Sequence, residues 1–531
     1  MMAQRLLVLM ILFSGCMLLA NPFTGAFLNE QQKRLQALQK HDRATLESVA
    51  ATPGGHPLWT LTVAAKDTGL PAVVLFGNVD GDDPASTELV LGLLERWLHD
   101  YDRVDSITQF LDSTVIYAFP NINPDAQQGS LPLNARSLDL DHDGFKDEDA
   151  PEDINGDGFI THMRILDPAG AWMADSSLSG WMRKADPARG EYGAWRVYRE
   201  GVDNDADGRW NEDSEGGVHI NRNFSYQYPR FEFGAGLDPM SEPETRAIAD
   251  FVFEHENIVA MYAITRAGNL VQPWSSAGDG EPNNVAAEDK PYFESMADRF
   301  QNIAGKPAWN SEQSSGRLDH WAYFHAGRWC FSAPVWVPRV AADSADTGDW
   351  PPEKRLWTRI EEQNDSSRFV PWQPVQHPDF PDKRVEVGGL KPYADQPDAA
   401  DMDSLIDVHH DFLLELRRQL PYLQVETHVE PLGSGIFRVR LCVQNRGALP
   451  TQPLPGTDLR WNRDLTAQLE WGEGQILLSH EPFIKLPRLE PGEAHELSWL
   501  LQGSEPVSIT VGSPSCGFIS KRLSLRKGGA K

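Results

Sequence analysis

Two patterns of apolar and polar positions divide this chain. Up to about residue 420, short apolar runs alternate with stretches in which apolar residues recur every three or four positions, as in buried strands and amphipathic helices. Asp83 and Pro84 predict a helix start, because Asp suits the N-cap and Pro the first helical position. The pattern predicts strands at 59–63, 72–76, 113–119, 258–264 and 329–337, and helices at 24–50, from Pro84, from Ser241 to about 254, and at 402–420. Buried strands alternating with helices predict an α/β fold with a parallel or mixed sheet.

From about residue 422 the pattern changes to short strands separated by turn residues. The apolar runs lie at 437–443, 465–469, 476–478, 496–500 and 507–511. This spacing predicts a small all-β sandwich over 422–531. Cys442 and Cys516 fall in this segment; they either pair or, like Cys330, are buried thiols.

The length of the chain indicates the number of domains, and its charge limits the kinds of ligand. The 531 residues predict two domains, placed at 24–421 and 422–531. The net charge is −29, from 48 basic and 77 acidic residues. Such an excess of negative charge opposes the binding of nucleic acid or anionic lipid through bulk electrostatics. The sequence does not specify an oligomeric state.

Residues 1–20 resemble a signal peptide. One arginine precedes an apolar run that is too short to span a membrane, and small residues follow it. Phe-Ser-Gly-Cys, ending at Cys16, resembles a bacterial lipobox in which that cysteine carries lipid; cleavage after Ala20 is the alternative. The chain is therefore predicted to be exported, to the periplasm or outside the cell, with no transmembrane span.

Residues 134–217 are rich in Asp, Asn and Gly and lack a regular apolar period, which predicts an insertion of long loops. Three segments place oxygen ligands at positions 1, 3 and 5 and Gly at position 6, as in a calcium loop. The usual Glu at position 12 is replaced by Ala150, Arg164 and Ser214. Bound calcium is favoured over a solvated acidic hairpin, because crowded carboxylates repel one another. The candidate ligands are Asp139, Asp141, Asp143, Asp153, Asn155, Asp157, Asp203, Asp205 and Asp207.

Five motifs between residues 45 and 420 resemble, in their order, those of the M14 zinc carboxypeptidase family. They are Thr-Pro-Gly-Gly-His-Pro-Leu-Trp at 52–59, Asn-Ile-Asn-Pro-Asp at 121–125, Gly-Val-His-Ile-Asn-Arg-Asn-Phe at 217–224, Ser-Glu-Pro-Glu-Thr at 241–245 and Gly-Arg-Leu-Asp-His-Trp-Ala-Tyr at 316–323. Their number and order make the resemblance specific. It implies a mixed eight-stranded sheet flanked by helices, in a branch of the family that carries acidic loops and a C-terminal β-sandwich.

The resemblance also shows which positions have changed. Members of the family hold zinc with two His and one Glu, and a further Glu activates water. In this chain the three zinc-ligand positions hold Asp80, Asp83 and Thr265. Pro334 stands at the position of the activating Glu, and proline can neither accept nor donate a proton. Asp80 and Asp83 can hold a hard cation, but not zinc without further nitrogen ligands.

Three other positions indicate what the site retains. Asn221 and Arg222 match the pair with which the family holds the terminal carboxylate of its substrate, gripped by the planar fork of Arg. The alternative for Arg222 is to neutralise nearby Asp side chains. His219 stands where the family has the Asp that supports the first zinc His, so Asp80 and His219 have exchanged identities. They predict either a hydrogen bond without metal or a rebuilt metal site with His219 as a ligand.

Three functions remain open from the sequence. The first is an exported pseudo-peptidase that binds peptide C-termini or other carboxylates without cleaving them. The second is an active zinc metallocarboxypeptidase with ligands rebuilt from Asp80, Asp83 and His219. The third is a calcium-stabilised surface or adhesion module in which the sandwich binds the partner. Pro334 favours the first, with calcium as the expected cofactor and a peptide or protein C-terminus as the expected partner.

Overall fold

The computed structural model describes residues 25–65, 69–127, 131–139, 144–206, 208–211, 217–274, 285–305, 315–338, 340, 350, 352–479 and 481–525. The α-helices in these ranges are α1 (Gly25–Leu38), α2 (Pro84–Asp100), α3 (Asp105–Ser113), α4 (Pro243–Glu254), α5 (Lys290–Ala304), α6 (Leu318–Phe324), α7 (Pro352–Gln363) and α8 (Met402–Gln419). None of these helices is long and apolar enough to cross a membrane.

Strands occur in three regions of the chain. The first region holds β1 (Ala44–Ala51), β2 (Pro57–Val63), β3 (Ala72–Phe76) and β4 (Val115–Phe119). The second holds β5 (His162–Leu166), β6 (Trp172–Ala174), β7 (Met182–Lys184), β8 (Trp195–Arg199), β9 (Ile258–Ile264), β10 (Trp329–Ala333), β11 (Phe369–Val375) and β12 (Val385–Leu390). The third holds β13 (Leu423–Gly433), β14 (Ile436–Asn445), β15 (Thr466–Glu470), β16 (Ile476–Leu477), β17 (Phe483–Lys485), β18 (Ala494–Gln502), β19 (Val507–Ser513) and β20 (Gly517–Leu523).

A mixed sheet with the strand order β1-β2-β4-β3-β9-β10 forms the centre of the first domain. Strands β4, β3, β9 and β10 run parallel to one another, and β2 pairs antiparallel with β1 and β4. All residues of these four parallel strands are buried, as their continuous apolar sequences predict. Helices α2, α3, α5 and α8 pack on one face, and α4 and α6 on the other. The predicted mixed sheet flanked by helices is therefore confirmed.

Two sequence predictions for this region, the number of strands in the sheet and the end of the first helix, need correction. The central sheet has six strands in the described residues, not eight. Strand β10 ends just before Pro334, which has no N–H to continue a ladder, and the next strands, β11 and β12, join another sheet. The helix predicted over 24–50 ends at Leu38, because residues from Ala44 pair with β2.

The acidic insertion is not made of loops alone. Strands β5 to β8 form a second sheet together with β11 and β12, in the order β11-β12-β5-β8-β6-β7. Its small apolar core consists of Met163, Ile165, Val385 and Val387. The prediction of loops was wrong here because these short strands mix charged and apolar residues, as in His-Met-Arg-Ile-Leu and Trp-Arg-Val-Tyr-Arg, and show neither an apolar run nor a clear period.

The C-terminal segment is a β-sandwich, as predicted. Two four-stranded antiparallel sheets, β13-β14-β18-β16 and β17-β15-β19-β20, enclose one apolar core around Trp499. Cys442 and Cys516 are both free thiols, so they do not pair, and Cys330 is a free thiol buried in the first domain. The sandwich is therefore held by apolar packing and not by a disulfide bond.

A buried carboxylate joins the two domains. Asp289, next to the start of α5, accepts hydrogen bonds from Arg488 Nη2 at 2.7 Å, Leu454 N at 2.6 Å and Tyr323 Oη at 2.8 Å. Arg488 and Leu454 belong to the sandwich, whereas Tyr323 belongs to α6. The ion pair is almost completely buried, with 6% of the Arg488 side chain and 0% of the Asp289 side chain exposed. Arg488 has a second counterion, because its Nε also pairs with Glu490 Oε1 at 2.9 Å, and the Glu490 side chain is 45% exposed.

We expect Asp289→Asn to lower the apparent free energy of unfolding by about 1.5–3 kcal/mol, because Arg488 would lose its fully buried counterion and keep only the partly exposed Glu490. Urea unfolding followed by tryptophan fluorescence measures this change. Glu256→Gln is the matched control: Glu256 pairs with Arg463 across the same junction, but that pair is exposed and should contribute under about 1 kcal/mol. Equal losses in the two variants would contradict a special role for Asp289.

Candidate functional site

The site lies at the carboxyl ends of three neighbouring parallel strands. Asp80 follows β3, Thr265 and Arg266 follow β9, and Pro334 follows β10. Because parallel strands end at the same edge of a sheet, the fold brings these residues together, although they are distant in sequence. The positions that the resemblance assigned to zinc chemistry are therefore neighbours.

The turn after β3 is fixed by Asn78. Its amide nitrogen donates to Asn121 Oδ1 at 2.8 Å and to Asn123 O at 3.0 Å, and its amide oxygen accepts from Asp83 N at 3.1 Å. The turn also needs Gly81, which has φ +85°, and a Cβ there would lie 2.7 Å from Asn123 Nδ2. These constraints hold the acidic segment rigidly against the edge of the sheet.

Asp80 uses both carboxylate oxygens within the protein. Oδ1 accepts from Asn221 Nδ2 at 2.7 Å, and Oδ2 accepts from Arg266 N at 2.6 Å. Asn221 is buried, and its Oδ1 accepts from Leu318 N at 3.0 Å. Asp80 and Asn221 thus link the ends of β3 and β9 to the start of α6.

Arg266 supplies the positive charge of the site. Its Nε donates to Asp82 Oδ1 at 2.9 Å, its Nη2 donates to Asp82 O at 3.0 Å, and its Nη1 pairs with Asp395. Burial alone would lower the pKa of Arg266, but Asp82, Asp83 and Asp80 raise it above its ordinary value. The guanidinium therefore stays charged and partly neutralises the acidic cluster, as a cation would.

Asp83 does not have its predicted capping role. Helix α2 begins at Pro84 as expected, but the Asp83 side chain makes no capping hydrogen bond. Burial raises its pKa from an ordinary value of 3.8 to about 7; Arg266 opposes this shift, and Asp82 and Asp80 add to it. The carboxyl group therefore titrates near neutral pH.

His219 and Thr265 also differ from their predicted arrangement. The Thr265 hydroxyl donates to Ala267 O at 2.7 Å. His219 Nδ1 is buried without a hydrogen-bond partner among the described residues, and burial lowers the pKa of the ring. Since Asp80 bonds to Asn221 and Arg266, the predicted hydrogen bond between Asp80 and His219 does not form.

These residues do not fit the zinc ion expected for the family. The three zinc-ligand positions hold two carboxyl groups and a hydroxyl instead of two imidazoles and a carboxylate, and the Thr265 hydroxyl donates a hydrogen bond to a backbone carbonyl. No group of three or more His, Cys, Asp or Glu side chains in the described residues is arranged to hold a metal ion. Pro334 leaves the position of the activating base without a titratable group.

A buried ion pair that the sequence reasoning missed lies beside the acidic cluster. Arg317 donates to both oxygens of Asp319, from Nε at 2.9 Å and from Nη2 at 2.7 Å, and it also donates to Ala267 O. Ser332 Oγ, on β10, donates to Asp319 Oδ2 at 2.7 Å. Burial alone would raise the pKa of Asp319, but Arg317 lowers it to about 2. The sequence feature that could have indicated this ion pair is an Arg and an Asp two residues apart at the start of a helix.

Asn221 and Arg222, the predicted carboxylate-binding pair, have different partners in the structure. Both polar atoms of the Asn221 amide are engaged with Asp80 and Leu318. Arg222 pairs with Glu232 through Nη2, while its Nε is buried without a partner among the described residues. Arg222 is therefore the member of the pair that has donors left for a ligand.

The three acidic loops share one backbone feature. The Gly at position 6 has positive φ in each loop, and its N–H donates to the Asp at position 1. These bonds join Gly144 to Asp139 at 3.1 Å, Gly158 to Asp153 at 2.8 Å and Gly208 to Asp203 at 2.9 Å. Of the other candidate ligands, Asp141, Asp143 and Asp207 lie outside the described residues, whereas Asn155, Asp157 and Asp205 lie within them. Calcium binding stays a prediction.

Two fully buried carboxylates anchor these loops from below. Glu200 accepts from Ile154 N and from Thr161 N, each at 2.8 Å, and so holds the second loop. Asp149 accepts from Asn204 N at 3.0 Å and holds the third. Much of the loop shape is therefore determined by side chains beneath the loops.

The high pKa of Asp83 predicts a pH-dependent stability. A carboxyl group with a higher pKa in the folded than in the unfolded chain stabilises the fold at low pH, and this stabilisation is lost as pH rises from about 4 to 7. Asp83→Asn stays neutral, so we expect it to be about 1–3 kcal/mol more stable than the parent protein at pH 8 and to match it near pH 4. Denaturant titrations at both pH values measure the difference, and a difference independent of pH would contradict the assignment.

Comparison with known proteins agrees with this architecture. The Peptidase M14 family, described as zinc carboxypeptidase, matches residues 32–132 and 181–363, and a domain of unknown function (DUF8731) matches residues 423–524. Carboxypeptidase SOL1 of Arabidopsis thaliana is 32% identical over 116 residues, which are 21% of this chain and 23% of that protein. Carboxypeptidase M of Mus musculus is 32% identical over 84 residues, which are 15% of this chain and 19% of that protein.

These matched segments span less than a quarter of the length of either relative. Among solved structures, carboxypeptidase A from Helicoverpa armigera is 14% identical, covers 63% of this chain and 71% of its own, and has a TM-score of 0.33. The family match is broader: it covers more than half of the chain and contains every altered zinc position. This chain belongs to the M14 zinc carboxypeptidase family.

Proposed function

We propose that this chain is an exported member of its family that binds peptide C-termini or similar carboxylates without hydrolysing the peptide bond. The observation that carries this proposal is the state of Asp80. At the position of a zinc ligand, both of its oxygens accept hydrogen bonds from Asn221 and Arg266. The three zinc-ligand positions, Asp80, Asp83 and Thr265, supply no imidazole nitrogen for a zinc ion.

The chemistry required for hydrolysis supports the same conclusion. A zinc peptidase needs a metal with an open position, where water binds, and a nearby base that takes a proton from that water. The Thr265 hydroxyl donates a hydrogen bond to a backbone carbonyl, and the Pro334 side chain can neither accept nor donate a proton. An active enzyme with rebuilt ligands therefore gains no support from these side chains.

Arg222 is the proposed carboxylate-binding group. Its guanidinium has five N–H donors, of which Glu232 occupies one through Nη2, and its buried Nε has no partner within the described part of the chain. A second carboxylate satisfies such a donor with a charge-assisted bond. Asn221 contributes indirectly, because its bonds to Asp80 and Leu318 hold the turn that carries Arg222.

Calcium and export complete the proposal. Calcium bound by the acidic loops stabilises the insertion and takes no part in catalysis. The repeated bond between Gly at position 6 and Asp at position 1 supports a common loop shape. Export rests on residues 1–20, with Cys16 as the site of a lipid anchor or Ala20 as the cleavage point; these residues lie outside the described ranges.

We expect the purified protein to bind a dye-labelled peptide with a free C-terminus and to leave it uncleaved, with or without added Zn²⁺. Arg222→Ala should weaken binding at least tenfold, since a charge-assisted bond contributes about 1.5–3 kcal/mol. Fluorescence anisotropy measures binding, and mass spectrometry detects cleavage. Arg189→Ala is the control, because Arg189 is exposed and pairs with Asp186. Zn²⁺-dependent cleavage would overturn the proposal, as would unchanged binding in Arg222→Ala.

For the acidic loops, we expect Ca²⁺ but not Mg²⁺ to raise the melting temperature. At a concentration one hundred times its dissociation constant, a ligand of the folded state stabilises it by about 2.7 kcal/mol. Asp157→Asn, in the second loop, should reduce the calcium-dependent shift. Asp186→Asn, in the same insertion but outside the loops, should leave it unchanged. A melting temperature insensitive to Ca²⁺ in the parent protein would contradict calcium binding.

A further inference from the structure

Arg222 already has a carboxylate partner within its own chain. Glu232 pairs with Arg222 Nη2 and lies on the segment that follows the carboxylate-binding turn. The side chain of Glu232 is 61% exposed, whereas that of Arg222 is 24% exposed. An exposed ion pair of this kind contributes little stability, so a ligand can displace it at low cost.

The segment that carries Glu232 is fixed at its base. His219 N donates to Gly234 O at 2.8 Å, Asn223 Nδ2 donates to Ala235 O at 2.8 Å, and Tyr228 Oη donates to Gly236 O at 2.5 Å. These bonds hold the backbone beside the site. Release of Glu232 therefore requires only a change of its side-chain rotamer, not a movement of the whole segment.

Large apolar side chains surround Glu232 on this segment. Phe231 is 92% exposed, Phe233 53% and Leu237 69%. Phe231 also has φ +68°, a left-handed conformation that is costly for a bulky residue. The Phe231 ring lies 5.3 Å from the guanidinium carbon of Arg230, and Phe231 and Phe233 are the chain neighbours of Glu232. A ligand whose carboxylate replaces Glu232 at Arg222 therefore approaches exposed apolar groups.

We propose that Glu232 is an internal competitor that occupies Arg222 until the C-terminal carboxylate of a peptide replaces it, and that Phe231 and Phe233 contact an apolar last residue of that peptide. This inference rests on the proposed function and adds its regulation and its ligand class. The occupant is a peptide whose C-terminus combines a free carboxylate with a large apolar side chain. The negative charge of that terminus complements Arg222 once Glu232 has moved away.

The test uses three dye-labelled hexapeptides that end in Ala-Phe with a free carboxylate, in Ala-Phe amide, and in Ala-Asp with free carboxylates. Glu232→Gln should tighten binding of the first peptide by about two- to fivefold, the range expected for removing an exposed competing ion pair. Binding of the amide should not change. Asp238→Asn is the matched control, since Asp238 lies on the same segment near Arg230 and not at Arg222.

Two further variants separate the parts of the inference. In the Arg222→Ala background, Glu232→Gln should bring no gain, because there is no guanidinium to release. Phe231→Ser combined with Phe233→Ser should weaken binding of the Phe-ending peptide several-fold more than binding of the Asp-ending peptide. Circular dichroism confirms that each variant is folded.

The outcomes distinguish this inference from the proposed function. If the parent protein binds the first peptide through Arg222 but Glu232→Gln changes nothing, the competitor role is wrong and the proposed function stands. If Asp238→Asn tightens binding as much as Glu232→Gln, the effect is one of general charge and the inference is wrong. If neither the parent protein nor Glu232→Gln binds any of the peptides, both the inference and the proposed function are overturned.

Discussion

The carboxylate of Asp80 is the constraint on which the rest of the site depends. It lies where strands β3 and β9 end, and its two oxygens connect those ends to the turn of Asn221 and, through Asn221, to helix α6. The ion pair of Arg317 and Asp319 continues the same network to β10. A hydrogen-bonded network therefore joins the elements that a metal ion would otherwise connect.

How much the sequence predicts depends on the length of each pattern. The strand at Ala72–Phe76 and the helix from Pro84 were predicted correctly, because long apolar runs and a Pro at a helix start are strong local signals. The second sheet was missed because its strands mix charged and apolar residues and pair across large sequence separations. Within the site, motif order assigned Asp80 and Thr265 to zinc-ligand positions and Pro334 to the position of the base, and in the structure these residues follow neighbouring parallel strands. It could not reveal that Asp80 bonds to Asn221 and not to His219, since hydrogen-bond partners depend on three-dimensional packing.

Acidic side chains in this protein have two kinds of partner, backbone N–H groups and arginines, and both kinds occur among the buried ones. Buried acidic groups such as Glu200 and Asp149 bind backbone N–H groups and so determine the shape of the loops above them. Partly exposed acidic groups such as Asp82 pair with Arg266. The large negative net charge is therefore not simply a solvated surface. Part of it belongs to the internal framework, where a carboxylate accepts several hydrogen bonds and fixes an irregular segment.

The pairing in the second sheet determines when its strands can come together during synthesis. Its central pairing joins β5 to β12, where Arg164 and Glu386 form an ion pair although they are 222 positions apart. During synthesis, the edge of β5 that β12 later covers stays open until residue 390 has emerged from the ribosome, because no earlier strand pairs there. The acidic insertion is thus completed after the whole central sheet has been synthesised, and contacts of such long range slow folding.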